Sequence, residues 1–143
     1  MSHLTKIKVE VRSLEDLKAA CDRLGFQFMP DQKTYKWFGV WMGDSPLPEG
    51  INQSDLGKCD HAIRVPGANY EVGVVKQGDK YTLLYDFWTL GGLQESLGDN
   101  AEKLVQSYSL VAAKREAERQ GYSTYEEQLE DGSINLHVMV GED

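Results

Sequence analysis

Cys59-Asp60-His61 sets a thiol, a carboxylate and an imidazole side by side, all of them groups that bind metals or take part in nucleophilic catalysis. The spacing limits both readings. If the stretch is extended, neighbouring side chains point to opposite faces, so Cys59 and His61 could share a site and Asp60 could not. A zinc site needs further ligands, and His3 and His137 would have to converge on this one. A Cys-His nucleophile needs an oxyanion donor and an orienting partner, and the sequence names neither. Asp86 is the second candidate, a carboxylate between Tyr85 and Phe87 on an apolar strand. There it is either a structural acceptor for Arg64, a tyrosine hydroxyl or a backbone turn, or an acid in a pocket beside Trp88, because an unpaired buried charge is too costly. The third candidate is an aromatic set, Tyr35, Trp37, Trp41, Tyr70, Tyr85 and Trp88, which either fills a core or lines a pocket for a planar ligand. Gly91-Gly92 and Gly43 fit neither the phosphate-loop nor the dinucleotide pattern. The expected ligand-binding residues are therefore Trp37, Trp41, His61, Arg64, Tyr85, Asp86 and Trp88, with no catalytic set, metal or cofactor expected.

These residues must be placed by a sheet. Tyr70, Val72 and Val74 alternate before Gln77-Gly78-Asp79-Lys80, and Leu83, Tyr85 and Phe87 alternate after it, which predicts a central β-hairpin. Leu84 and Trp88 make the second strand apolar on its other side too, so it should be covered on both faces. Ile7, Val9 and Val11 alternate with Lys6, Lys8, Glu10 and Arg12, predicting a first strand. Ser13, with Asp16 three residues on, opens a helix whose apolar stripe is Leu14, Leu17, Ala20, Cys21 and Leu24, and Gly25 ends it. Phe26–Met29, Thr34–Met42 and Cys59–Val65 read as further strands. Between the last two, residues 43–58 concentrate Gly, Pro, Ser, Asn and Asp, a long loop and the expected seat of function. After a glycine-containing turn at 89–98, Asp99 and Glu102 read as a capping pair for a helix running to Gly121, with Leu104, Val105, Tyr108 and Val111 on one face. Asp131-Gly132 joins two C-terminal strands. The expected fold is α+β, one domain over residues 1–143: a mostly antiparallel sheet with two helices packed on one face, a ferredoxin-like sandwich whose extra strands extend the sheet.

Composition removes several classes of function. The 143 residues carry a formal net charge of −8. No Lys or Arg follows Arg119, while Glu126, Glu127, Glu130, Asp131, Glu142 and Asp143 do. That acidic end repels phosphate backbones and anionic membranes, so general nucleic-acid binding is disfavoured; Lys6, Lys8 and Arg12 read as a solvated strand face. No apolar run approaches a membrane span and no signal core is visible, so a cytoplasmic protein is expected. Cys21 and Cys59 read as free buried thiols.

Three stretches carry a family resemblance: MSHLTKIKVEVRSLEDLKAACDRLG at the start, YEVGVVKQGDKYTLLYDFW in the middle, and the end from Lys103 through GYSTYEEQLEDGSINLHV. In these the chain resembles a family of small uncharacterised proteins named after a hypothetical chloroplast open reading frame, also found in cyanobacteria, other bacteria and phages. The resemblance spans nearly the whole chain except residues 43–58. It implies a small α+β domain in a cytosolic, stromal or phage-infected setting (the host cytoplasm where phage-encoded), and it brings no reaction and no catalytic residues. The first expectation is thus a non-catalytic accessory or binding protein, acting through a partner surface or a small-molecule pocket beside the 43–58 loop. The alternatives are a small hydrolase or transferase using Asp86, His61 and Cys59, and a phage-type protein that sequesters a nucleotide or host factor. A homodimer through an exposed edge strand is a further expectation.

Overall fold

The computed structural model describes residues 3–41, 43 and 46–140. Met42 at the end of one predicted strand, Asp44 and Ser45 in the predicted loop, and the acidic Glu142 and Asp143 lie outside the described residues.

The elements in chain order are β1 (Leu4–Lys6), α1 (Leu14–Leu24), β2 (Gln27–Met29), β3 (His61–Arg64), β4 (Glu71–Gln77), β5 (Lys80–Asp86), α2 (Leu93–Leu97), α3 (Glu102–Arg119), β6 (Ser123–Gln128) and β7 (Ile134–Met139). The first five strands form one sheet in the order β1-β5-β4-β3-β2, antiparallel at every pairing. With four antiparallel steps between them, β1 and β2 run the same way at opposite edges, and α1 crosses the whole sheet to join them. The fold is α+β, as expected.

The β4–β5 hairpin is the centre the alternation predicts. Gly78, at φ 68°, and Asp79 close it, and glycine accepts that backbone without the clash a side chain would bring. Val72, Val74, Leu83 and Tyr85 point to one face, where Leu17, Ala20 and Cys21 of α1 and Leu104, Tyr108 and Val111 of α3 meet them. Each such fully buried apolar side chain contributes roughly 1.5–3 kcal/mol, so the helices and the hairpin hold each other. Ser13 caps α1 as its sequence indicates, its hydroxyl accepting from Asp16 N at 3.1 Å, and Gly25 ends the helix at φ 76°.

The other face is covered by described residues from the stretch between Pro30 and Asp60. Tyr35, Ile51 and Cys59 pack there on Ala62 and Leu84, so much of the expected loop belongs to a second layer. Among its described residues the expected strand from Thr34 does not form; the ladder contact they make is a bridge between Thr34 and Lys58. Beyond the bridge, Lys36 O accepts from Glu71 N at 2.9 Å, and the amides of Lys36 and Phe38 are held by side chains, as described below.

Three further expectations are corrected. The first strand does not run through Lys6–Arg12: Ile7 N donates to Leu83 O and Val11 bridges Tyr81, so the chain bulges between them with Val9 N bonded to Ile7 O. Asp99 does not cap α3. Asn100 and Ala101 take left-handed φ values of 55° and 56°, which kink the chain before the helix and take the Asp99 side chain out of capping. Among the described residues the C-terminal strands do not extend the sheet but pair with each other, lying against α3.

Candidate functional site

Alternation along β4 and β5 puts Glu71 and Asp86 on the covered face, because Val72, Val74, Leu83 and Tyr85 take the helix face. Arg64 registers with Glu71 and Leu4 with Asp86, and the Gly73–Leu84 pairing continued by two residues sets Glu71 across from Asp86. Both carboxylates are buried, Asp86 completely. Asp86 Oδ1 accepts from His3 N at 3.0 Å and Trp88 N at 3.1 Å, while Oδ2 accepts from Phe38 N at 3.1 Å. Glu71 Oε1 accepts from Gln32 Nε2 at 3.0 Å and Lys36 N at 3.1 Å, and Oε2 from Arg64 Nε at 3.2 Å. Of the partners foreseen for Asp86, the backbone turn at Trp88 is present; Arg64 pairs with Glu71 instead. Two buried anions are thereby satisfied mainly by main-chain amides, and they fasten the N-terminal segment and residues 32–38 to the sheet.

The Cys59-Asp60-His61 cluster is pulled apart by a bulge. Asp60 N donates to Val74 O at 2.9 Å, yet His61 is the residue that registers with Val74, so two residues oppose one and the alternation slips. Cys59 then faces the covering layer, where its thiol donates to Gln32 O at 3.1 Å and burial pushes its pKa up to about 11. His61 faces the helix side between the rings of Phe28 and Tyr81, with Nδ1 accepting from Asp31 N at 2.9 Å. Asp60 accepts from Lys76 N at 2.7 Å. No group of three metal-ligating residues occurs among the described residues.

The aromatic residues divide between layers. Trp88 meets Phe38 edge-on, with ring centroids 5.3 Å apart, beside the Asp86 carboxylate that holds both their amides. Trp37 packs on the covering layer, its Nε1 so near Gly57 that a Cβ there would lie 2.7 Å away. Trp41 is half-buried. Thus the structure groups Asp86 with Trp88 and sets Arg64 in the same cross-strand row, while Tyr85 and His61 lie on the opposite face of the sheet.

Two cavities bear on binding. One, of about 370 Å³, lies in the covering layer between Ile51, Asp55, Lys58, Cys59, Asp60 and Lys76. Asp55 there accepts from Asn52 N, and Asp60 and Cys59 are engaged as above. The other, of about 460 Å³, opens on the helix face beside β1, between Thr5, Tyr85, Phe87, Gln94, Asp99 and Asn100. Tyr85 is the one expected site residue among these. The others escaped sequence reading because Asp99 and Asn100 looked like the start of a helix; their use as cleft walls follows from the left-handed kink, which no local pattern announces.

The family model described as "Protein of unknown function (DUF1257)" matches residues 48–137, and the chain belongs to that family. That stretch runs from the covering layer through the central hairpin and α3 into β7, and so carries Asp86, Glu71 and most of the sheet-edge cleft. No curated protein and no solved structure matches.

Proposed function

We propose that this is a non-catalytic binding or accessory protein, acting on a small molecule or partner rather than converting a substrate. The observation that carries the reading is the coordination of Asp86: its carboxylate is occupied by three main-chain N–H groups from three separate segments. A general acid or base must exchange protons with a substrate within hydrogen-bond reach, and a carboxylate enclosed in this way has no face to offer one. His61 and Cys59, the other groups suited to chemistry, are likewise engaged with backbone and lie on opposite faces of the sheet.

The narrower kinship with the hypothetical chloroplast open-reading-frame family of plastids, cyanobacteria, bacteria and phages belongs to the same proposal, as does a cytoplasmic setting. No helix among the described residues is long and apolar enough to cross a membrane. The strands β1 and β2 leave two open sheet edges, which suit pairing with a second copy or another chain.

Native mass spectrometry of freshly purified protein, compared with its denatured mass, tests the reading. A reproducible extra mass lost on denaturation, or a defined complex with another chain, is the expected result. A protein recovered bare from its own host, with no companion chain in pull-downs, counts against it.

A further inference from the structure

Building on the reading as a binding protein, we propose that the cleft between β1, β5 and the α2–α3 junction binds a small organic cation, a protonated amine or guanidinium carried on a short apolar stem. The polar atoms that converge there are unengaged. Among the described residues, the side chains of Thr5, Gln94, Asp99 and Asn100 make no hydrogen bond or ion pair, although all four line one cavity of about 460 Å³. This contrasts with the covered face, where the carboxylates of Glu71 and Asp86 are engaged on both oxygens.

The chemistry of the walls selects the ligand. Phe87 supplies ring surface on the side away from His3, which stacks on it with centroids 5.1 Å apart, and Tyr85, only 3 % exposed, borders the cavity; aromatic faces attract cations through their quadrupoles. Asp99 supplies the counter-charge, and the amide and hydroxyl oxygens of Asn100, Gln94 and Thr5 supply acceptors for the remaining N–H groups. Among the described residues no Lys or Arg lines the cleft, and the one nearby imidazole, His3, is stacked on Phe87, so the fixed charge an anionic ligand would meet on the wall is the Asp99 carboxylate. The net charge of −8 raises the local concentration of cations in the same direction. The cavity lies within the size range of small-molecule sites.

The backbone also favours this assignment. Asn100 and Ala101 hold φ values of 55° and 56°, a region that alanine enters only under strain, and the fully buried Ala101 keeps the turn in place. The turn sets Asp99 and Asn100 on the wall of the cleft instead of the helix cap.

Agmatine is the probe, titrated into the full chain while backbone amide chemical shifts are followed, with glutamate as the anionic control. The proposal predicts saturable shifts at Thr5, Gln94 and Asn100 with agmatine and none with glutamate. Asp99→Asn, an exposed position whose change leaves the fold intact, should weaken agmatine at least tenfold, and Asp55→Asn in the other cavity should leave it unchanged. Absence of saturable shifts, shifts centred on residues 50–60, equal binding of glutamate, or unaltered affinity in Asp99→Asn would each overturn the cation site. Such a failure would not touch the reading as a binding protein, which falls on a different observation: turnover of a metabolite that Asp86→Asn or His61→Ala abolishes while the fold persists.

Discussion

Tyr35 lies flat against Gly73: a Cβ built on that glycine would fall 2.4 Å from the tyrosine ring. The ring belongs to the covering layer and the glycine to the central strand, so the missing side chain is what lets the two layers meet. Gly73→Ala should therefore destabilise the fold by about 1–3 kcal/mol, the usual cost of overpacking. Urea unfolding checks the size. Limited proteolysis checks the place, since cleavage should rise first within residues 30–60.

Asp86→Asn should cost on the order of 2 kcal/mol, because one acceptor oxygen is replaced by an NH₂ group that faces an N–H donor. Amide hydrogen exchange locates the damage: protection should fall at His3, Phe38 and Trp88 together, since one carboxylate holds all three. Loss confined to Trp88 would mean that the N-terminal segment and the covering layer are held by other means.

Much of the sheet was legible because it rests on local periodicity. Val72 and Val74 against Leu83 and Tyr85, Ser13 ahead of Asp16, and Gly25 after Leu24 each act within a few residues. The covering layer was not legible, because its backbone is fixed at long range: Lys36 by Glu71, 35 positions away, and Phe38 by Asp86, 48 positions away. The apparent pairing of Cys59 with His61 failed for a related reason. A single extra residue at Asp60 reverses the alternation, and bulges leave no mark in residue type.

One carboxylate of the C-terminal hairpin ties it to both long helices. Glu126 takes Arg23 of α1 at 2.8 and 3.0 Å and Lys114 of α3 at 3.0 Å, and these two cations lower its pKa from 4.5 to about 2. A carboxylate depressed on folding contributes stability that is complete above its unfolded value and is lost as pH falls through the folded one. Docking of β6–β7 should therefore hold constant from pH 7 to about 4.5 and weaken progressively toward pH 2. Glu126→Gln should remove the part of that dependence that comes from docking onto the helices, while Glu127, held low by His137, and Asp131, held low by Ser133, keep their own part within the hairpin; amide exchange in residues 123–139 would separate the two.

Burial pushes the thiol of Cys21 up to about 12 and that of Cys59 up to about 11, from an ordinary 9.0. In the unfolded chain these thiols ionise first, so stability should decline as pH rises beyond 9.0, with Tyr35, raised to about 12, adding to the decline above 10.0. Native protein at pH 8 should also resist thiol labelling until it unfolds. Rapid labelling of Cys59 in the folded state would show that the covering layer opens there.

The most direct test of the central claim is to incubate the purified protein with a metabolite extract of its native host and compare the extract by mass spectrometry before and after, alongside Asp86→Asn and His61→Ala. A binding protein should deplete its ligand only in proportion to protein added and release it chemically unchanged on denaturation. Catalytic conversion of any metabolite, lost in either variant while the fold persists, would contradict the account.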